Sequence, residues 1–321
     1  MSFSSDVKEE LSRQLCAARH CRIAEIAAII SMCGSVSISK EEKYCLRVQT
    51  ENLSVARKYF TLLQKTFNID TEVSIKQNVY LKKAPTYLVL VKNHEDAMKI
   101  LQAARLIGWN GEIRENLSLH DNLVIQKSCC KRAFIRGAFL ASGSISNPQK
   151  SYHFEIACAT ERKAEQLRDI INSFEMDAKI VRRKKYYVVY IKEGSRIVDI
   201  LNVMEAHVAL MDLENVRILK EMRNSVNRKV NCETANIHKT VNAAVKQTED
   251  IKYIQSKIGF EDLAEGLADT ARLRLENPDA SLKELGMMLA PPVGKSGVNH
   301  RLRKLSALAE ELRGNEGGEL L

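Results

Sequence analysis

No stretch of this sequence approaches the roughly 18 consecutive apolar residues that a helix needs to cross a bilayer. The amino-terminal MSFSSDVKEELSRQL is polar and helix-like, without the apolar segment of a secretory signal. A cytoplasmic, soluble protein is therefore expected. Paired metal-ligand spacing is missing too. The eight cysteines (Cys16, Cys21, Cys33, Cys45, Cys129, Cys130, Cys158 and Cys232) form no Cys-x-x-Cys. Cys16, His20 and Cys21 are residue types that zinc takes, but the local sequence supplies no fourth partner. Scattered cysteines in such a chain are expected as small buried hydrophobes, with no metal and no cofactor.

What is present is ordinary globular material with a basic excess. Of 321 residues, 45% are hydrophobic and 28% charged, enough apolar content for a core. The net charge of +9 favours a polyanionic partner, most often nucleic acid.

The chain also repeats itself. Residues 22–37 (RIAEIAAIISMCGSVS) and 131–146 (KRAFIRGAFLASGSIS) are small-residue-rich helical stretches that stop at Gly34 and Gly143, 109 positions apart. A helix ending at glycine suggests a left-handed cap. After Gly34 the pattern predicts a strand at 36–39, a charged turn at 40–43 and a strand at 44–50. In the second strand Leu46 and Val48 alternate with Arg47 and Gln49. A helix to Phe67, a hairpin of 71–75 with 86–91 across a long connection at 78–86, and a helix at 94–107 near Gly108 complete the unit. The second copy keeps that order: a strand within 152–159, a helix from 161 to 174, strands at 178–183 and 186–191, and a helix at 195–204. Each unit reads α–β–β–α–β–β–α. Ala27 and Ala28 facing Gly137, Ala138 and Ala141 would let the repeated helices meet closely as a seam. One face of each sheet, carrying Arg47, Gln49 and Glu155, is left polar.

This duplicated pattern resembles the LAGLIDADG homing endonucleases. Residues 26–34 and 135–143 fit their nine-residue motif. The resemblance implies a pair of acidic residues at the penultimate motif positions, where they would hold a divalent metal. Here those positions are Cys33 and Ser142, and a thiol and a hydroxyl do not replace two carboxylates around magnesium. Glu25 and Asp6 lie nearby at the wrong helical positions. An active nuclease is therefore disfavoured.

The carboxy-terminal third reads differently. Residues 206–257 form a largely helical connector. From Val216 to Lys257 it holds nine Lys/Arg against four Asp/Glu. It is either a solvated linker or a phosphate-contacting arm using Arg217, Arg223, Arg228, Lys229 and Lys239. Residues 258–313 suggest three helices: 259–278 stopped by Pro278, a short helix opened by a Ser281–Glu284 capping box, and a longer helix capped by Ser296. Two prolines and Gly294 form the break between the last two. That is a helix-turn-helix, whose second helix would enter the major groove. Its candidate DNA-binding residues are Lys295, Ser296, Asn299, His300, Arg301, Arg303 and Lys304. Asn and Arg suit base edges, and Lys and Ser suit phosphates. An acidic tail follows.

Over residues 1–313 the chain is similar to the WhiA family, as carried by MSFSSDVKEEL, RGAFLASGSISNPQKSYHFEI, VNCETANIHKTVNAAVKQTEDI and PPVGKSGVNHRLRKL. The resemblance implies an α+β fold: a duplicated αββαββα LAGLIDADG-like domain with antiparallel sheets, followed by an all-α helix-turn-helix domain. The divisions expected are an N-terminal helical segment (1–20), two repeats (21–108 and 109–205), a basic linker (206–257), the DNA-binding domain (258–313) and a tail (314–321). The resemblance also implies a non-catalytic, nucleoid-associated regulator of sporulation genes, cell division or chromosome segregation. Double-stranded DNA is the expected partner, with another transcription or division protein as a second. The internal duplication removes the need for a homodimer, so a monomer is expected. A protein-docking scaffold is the alternative.

Overall fold

The computed structural model describes residues 2–38, 43–76, 85–107 and 123–316. The turn at 40–43, the connection at 78–86, Gly108 and the end of the acidic tail fall wholly or largely outside these residues. Among the described residues, the chain divides into two compact units, 1–221 and 222–321.

The first unit opens with α1 (Phe3–Arg13), whose Val7 and Leu11 are fully buried in the same core as the repeats. Repeat one follows as α2 (Arg19–Cys33), β1 (Gly34–Ile38), β2 (Tyr44–Thr50), α3 (Leu53–Phe67), β3 (Glu72–Lys76), β4 (Thr86–Val91) and α4 (His94–Ala103). A single 3-10 turn at Leu123–Ile125 leads into repeat two. That repeat comprises α5 (Ser128–Ser142), β5 (Gly143–Ile145), β6 (Phe154–Cys158), α6 (Glu161–Asn172), β7 (Lys179–Arg183), β8 (Tyr186–Ile191) and α7 (Gly194–Met204). Each repeat makes one four-stranded antiparallel sheet of the same order, β1-β2-β4-β3 and β5-β6-β8-β7.

Local chemistry explains the boundaries. Asn52 starts α3 by accepting from the Ser54 and Val55 amides, and Asn68 ends it in the left-handed conformation at φ 55°. Thr160 caps α6. In β2, Leu46, Val48 and Thr50 turn to the core while Arg47 and Gln49 face out, as period-two alternation requires.

The seam is α2 against α5. Gly137 is indispensable there: a Cβ would lie 2.6 Å from the Glu25 carbonyl oxygen and 2.9 Å from the Ala28 Cβ. Gly34 and Gly143 do not adopt the left-handed cap expected of them. Both are extended, at φ −87° and φ −83°. They are glycines because a Cβ would lie 2.4 Å from the Ile30 carbonyl oxygen and 2.7 Å from the Phe139 Cα respectively. Close approach, not handedness, selects them.

The connector is one continuous helix, α8 (His207–Lys257). Ala209 and Leu213 join the core of the first unit, and Ile251 and Ile254 that of the second. The second unit continues with α9 (Glu265–Glu276), α10 (Leu282–Met288) and α11 (Lys295–Glu316). Helix α9 begins later than its apolar pattern suggested, because turns occupy 259–262. The core of this unit starts before residue 258, since α8 supplies part of it.

Candidate nucleic-acid interface

In the second unit, α10 and α11 flank a tight turn. Ser281 and Glu284 form the capping box in both directions: Ser281 Oγ accepts from the Glu284 amide, and Glu284 Oε2 from the Ser281 amide at 2.7 Å. The bonds with Ser281 hold the Glu284 carboxyl below its usual range. The glycine on which the turn depends is Gly286. Its carbonyl accepts from the Val293 amide at 2.8 Å, and a Cβ there would sit 2.0 Å from the Val293 oxygen. Gly294, expected to permit the sharp turn, has open space around its Cβ position. Sequence reasoning missed Gly286 because the contact that demands it comes from across the turn.

Helix α11 sorts the candidate residues by its period of about 100° per residue. Val298, Leu302, Leu305 and Ala309 are buried on one face. Lys295, Ser296, His300, Arg303 and Lys304 are exposed on the opposite arc, with Asn299 half-buried among them. Two expectations need correction. The helix begins at Lys295, so Ser296 lies in its first turn and does not cap it. Arg301 does not join that exposed arc: it packs over Gly266 of α9, donating to the Gly266 carbonyl at 3.1 Å and to Thr270 Oγ1 at 3.4 Å. Arg274, which the sequence did not flag, is buried and donates to the carbonyls of Pro278 and Ala280 and to Gln247. It pins the end of α9 to α8.

Beside this helix lies a groove of about 860 Å³, whose lining includes Lys239 and Lys252 of α8, Lys283 of α10, and Lys295 and Asn299 of α11, along with Glu249, Asp279 and apolar side chains. The fold thus brings one candidate phosphate contact, Lys239, onto the same groove as two helix candidates. Arg223, Arg228 and Lys229 are fully exposed on α8. Arg217 differs, because it is engaged by Glu214 at 3.2 Å and Glu221 at 3.6 Å. Its charge is already balanced, which weakens it as a phosphate contact.

In the first unit, Cys33 and Ser142 end the two seam helices. Each donates back to its own helix, Cys33 Sγ to the Ile29 carbonyl and Ser142 Oγ to the Ala138 carbonyl. Burial pushes the Cys33 thiol up to about 12, despite the nearby Lys8 ammonium. Lys163, also buried, donates to the Ser31 carbonyl. A thiol, a hydroxyl and two ammonium groups do not fit a divalent cation of the magnesium type. Glu25 lies deeper in the seam, fully buried, with Oε1 3.3 Å from both Lys58 Nζ and Arg136 Nε. Arg136 also reaches Glu205 Oε2 at 2.8 Å and Cys16 Sγ at 2.7 Å. Burial works against its charge, but Glu25, Cys16 and Glu205 outweigh that and raise its pKa. Glu25 is therefore held as a structural counter-ion. Asp6 is exposed on α1.

The outer face of the second sheet is partly self-neutralised. Glu155 accepts from Ser144, His153 and Arg183. Burial would raise its pKa, but those hydrogen bonds and the Arg183 charge lower it.

Comparison with known proteins follows the same division. Family profiles described as "WhiA N-terminal LAGLIDADG-like domain", "WhiA LAGLIDADG-like domain" and "WhiA C-terminal HTH domain" match residues 19–107, 131–223 and 226–309. A "Probable cell division protein WhiA" of Lachnoclostridium phytofermentans is 58% identical over 98% of this chain and 100% of its own. Another, from Desulforamulus reducens, is 48% identical over 98% and 97%. The crystal structure of full-length DUF199/WhiA from Thermatoga maritima superposes with a TM-score of 0.59 at 24% identity, covering 97% of this chain and 99% of that one. At that identity the match speaks for the fold.

Proposed function

The chain belongs to the WhiA family, and from that premise we propose that it is a non-catalytic DNA-binding regulator whose C-terminal unit reads double-stranded DNA. One observation carries this reading. Six donor residues, Lys295, Ser296, Asn299, His300, Arg303 and Lys304, occupy one arc of the second helix of a helix-turn-helix, beside a lysine-lined groove. In that arrangement the exposed side chains near the start of α11 meet base edges, while Lys239, Lys252 and Lys283 take phosphates. Arg223, Arg228 and Lys229 extend the basic arm. Binding acts in cell division, as the relatives' names suggest, through transcription of division or sporulation genes or through chromosome segregation. The protein works in the cytoplasm at the nucleoid, as a monomer. Cys33 and Ser142 leave the first unit without hydrolytic chemistry, so it positions DNA or protein and does not cut.

Footprinting of the full chain on genomic fragments tests this. Discrete protected sites are expected, lost in Asn299→Ala/Arg303→Ala, with affinity falling steeply as salt rises. Plasmid incubated with magnesium or manganese should stay supercoiled. Protection unchanged in the double variant would defeat the assignment of α11, and nicking that stops on chelation would defeat the non-catalytic reading.

A second reading has its own support. Helix α8 exposes Met222, Val226, Val230, Ile237, Val241 and Val245, each more than half accessible. Such a stripe suits a protein partner from the transcription or division machinery. Pull-down with and without nuclease treatment separates direct protein binding from bridging through DNA.

A further inference from the structure

At the end of the seam opposite Cys33 and Ser142, the first turns of α2 and α5 bring together His20, Cys21, Cys129 and Cys130. Their ligand atoms all lie within 4.8 Å of one another. The pairs are equivalent under the duplication, since the spacing that relates Gly34 to Gly143 also relates His20 to Cys129 and Cys21 to Cys130. His20 Nδ1 lies 3.2 Å from Cys130 Sγ and 3.4 Å from Cys21 Sγ. In a tetrahedral zinc site, with Zn–S near 2.3 Å and Zn–N near 2.0–2.1 Å, neighbouring ligand atoms are separated by about 3.3–3.8 Å. Separations as long as the 4.8 Å limit therefore need to contract by about 1 Å, and the two His20 contacts to open by a few tenths of an ångström, to close round one ion. We propose that these four side chains form a structural site for a zinc-like, thiolate-preferring divalent cation that ties repeat one to repeat two.

Two further observations support the site. This end of the seam has its own small apolar cluster, of Cys21, Ala24, Cys130 and Ala133, distinct from the main core. It contains no large side chain to lock the helices, and a metal cross-link supplies that lock. The remaining nearby thiol, Cys16, accepts from Arg136 at 2.7 Å and is held outside the set. Three cysteines and one histidine make a complete, closed zinc shell with no position for water or substrate. The site is thus structural, and it lies away from the positions where the related nucleases carry acidic residues.

The test uses the reduced full-length chain and cobalt(II) alone as the probe. One equivalent is expected to give the intense visible bands of tetrahedral cobalt and a near-ultraviolet thiolate-to-cobalt band, both erased by zinc. His20→Ala, at an exposed ring that does not support packing, should weaken binding by at least about tenfold and shift the visible bands. Cys21→Ser/Cys130→Ser should abolish the signal, whereas Cys232→Ser, on the exposed part of α8, should leave it intact. Zinc should raise the melting temperature of the parent and not that of the double variant. Absence of the thiolate-to-cobalt band would overturn the proposal. So would a band that survives Cys21→Ser/Cys130→Ser, or a signal lost equally in Cys232→Ser.

Discussion

The two units handle charge in opposite ways. In the duplicated unit, ionisable groups near the seam face one another: Glu25 lies between Lys58 and Arg136, and Arg136 also meets Glu205. In the C-terminal unit Arg274 and Arg301 turn inward to carbonyls and Arg313 pairs with the buried Asp250, while Lys295, His300, Arg303 and Lys304 of α11 meet solvent. Similar residue types thus serve as a fastener in one place and as a binding surface in the other. Burial decides which. A buried cation must be paired, and once paired it has little left for a phosphate.

Five substitutions sharpen this contrast, and the largest effect belongs to the seam. Glu25→Ala leaves Lys58 and Arg136 buried without their shared counter-ion, and should destabilise the first unit by about 3–5 kcal/mol. A thermal or denaturant melt measures it; a loss below 1 kcal/mol would mean that water already screens the pair. Next comes the recognition helix. Arg303→Ala should weaken specific binding by about 1–3 kcal/mol with stability unchanged. Arg301→Ala should do the reverse, lowering the melting temperature while sparing sequence preference. Anisotropy titrations beside melts distinguish them, and matching profiles for the two variants would erase the distinction drawn here. Removal of the cap by Ser281→Ala should cost about 0.5–2 kcal/mol in the C-terminal unit alone. The smallest effect is acid sensitivity at Glu155. Its pKa is lowered in the folded chain, so its contribution is present above the unfolded carboxylate value and fades as pH falls through the folded one. Glu155→Gln should flatten that part of the acid-stability curve, and an unchanged curve would show the network of His153 and Arg183 to be without weight.

Much of the architecture was legible in residue order. The duplicated stretches ending at Gly34 and Gly143, the alternation of β2 and the Ser281–Glu284 box each depend on neighbours a few positions away, and the structure has all three. The failures share a cause. Gly34 was assigned to a left-handed cap because glycine most often serves that need, whereas its own helix crowds its Cβ position. Arg301 was grouped with the DNA-facing residues because it is basic and adjacent to them, although the helical period turns it toward Gly266. Gly286 passed unnoticed because the Val293 carbonyl returns to it only in the folded turn. Arg217 reads as a candidate phosphate contact from its charge alone, whereas Glu214 and Glu221, one turn away on each side, engage it in the folded helix.

By itself the sequence determined the repeat, the strand and helix order, the basic excess and the presence of a thiol and a hydroxyl, not carboxylates, at positions 33 and 142. These are properties of periodicity and residue type, which survive without coordinates. Tertiary structure alone decided which charges remain free and which groups converge from distant positions. Arg136, one of the two partners of Glu25, and Cys130, which meets the His20–Cys21 pair, each lie more than 100 residues further along the chain. Coulombic pairing and metal ligation act over a few ångströms of space, and the packing of α2 on α5 sets that distance.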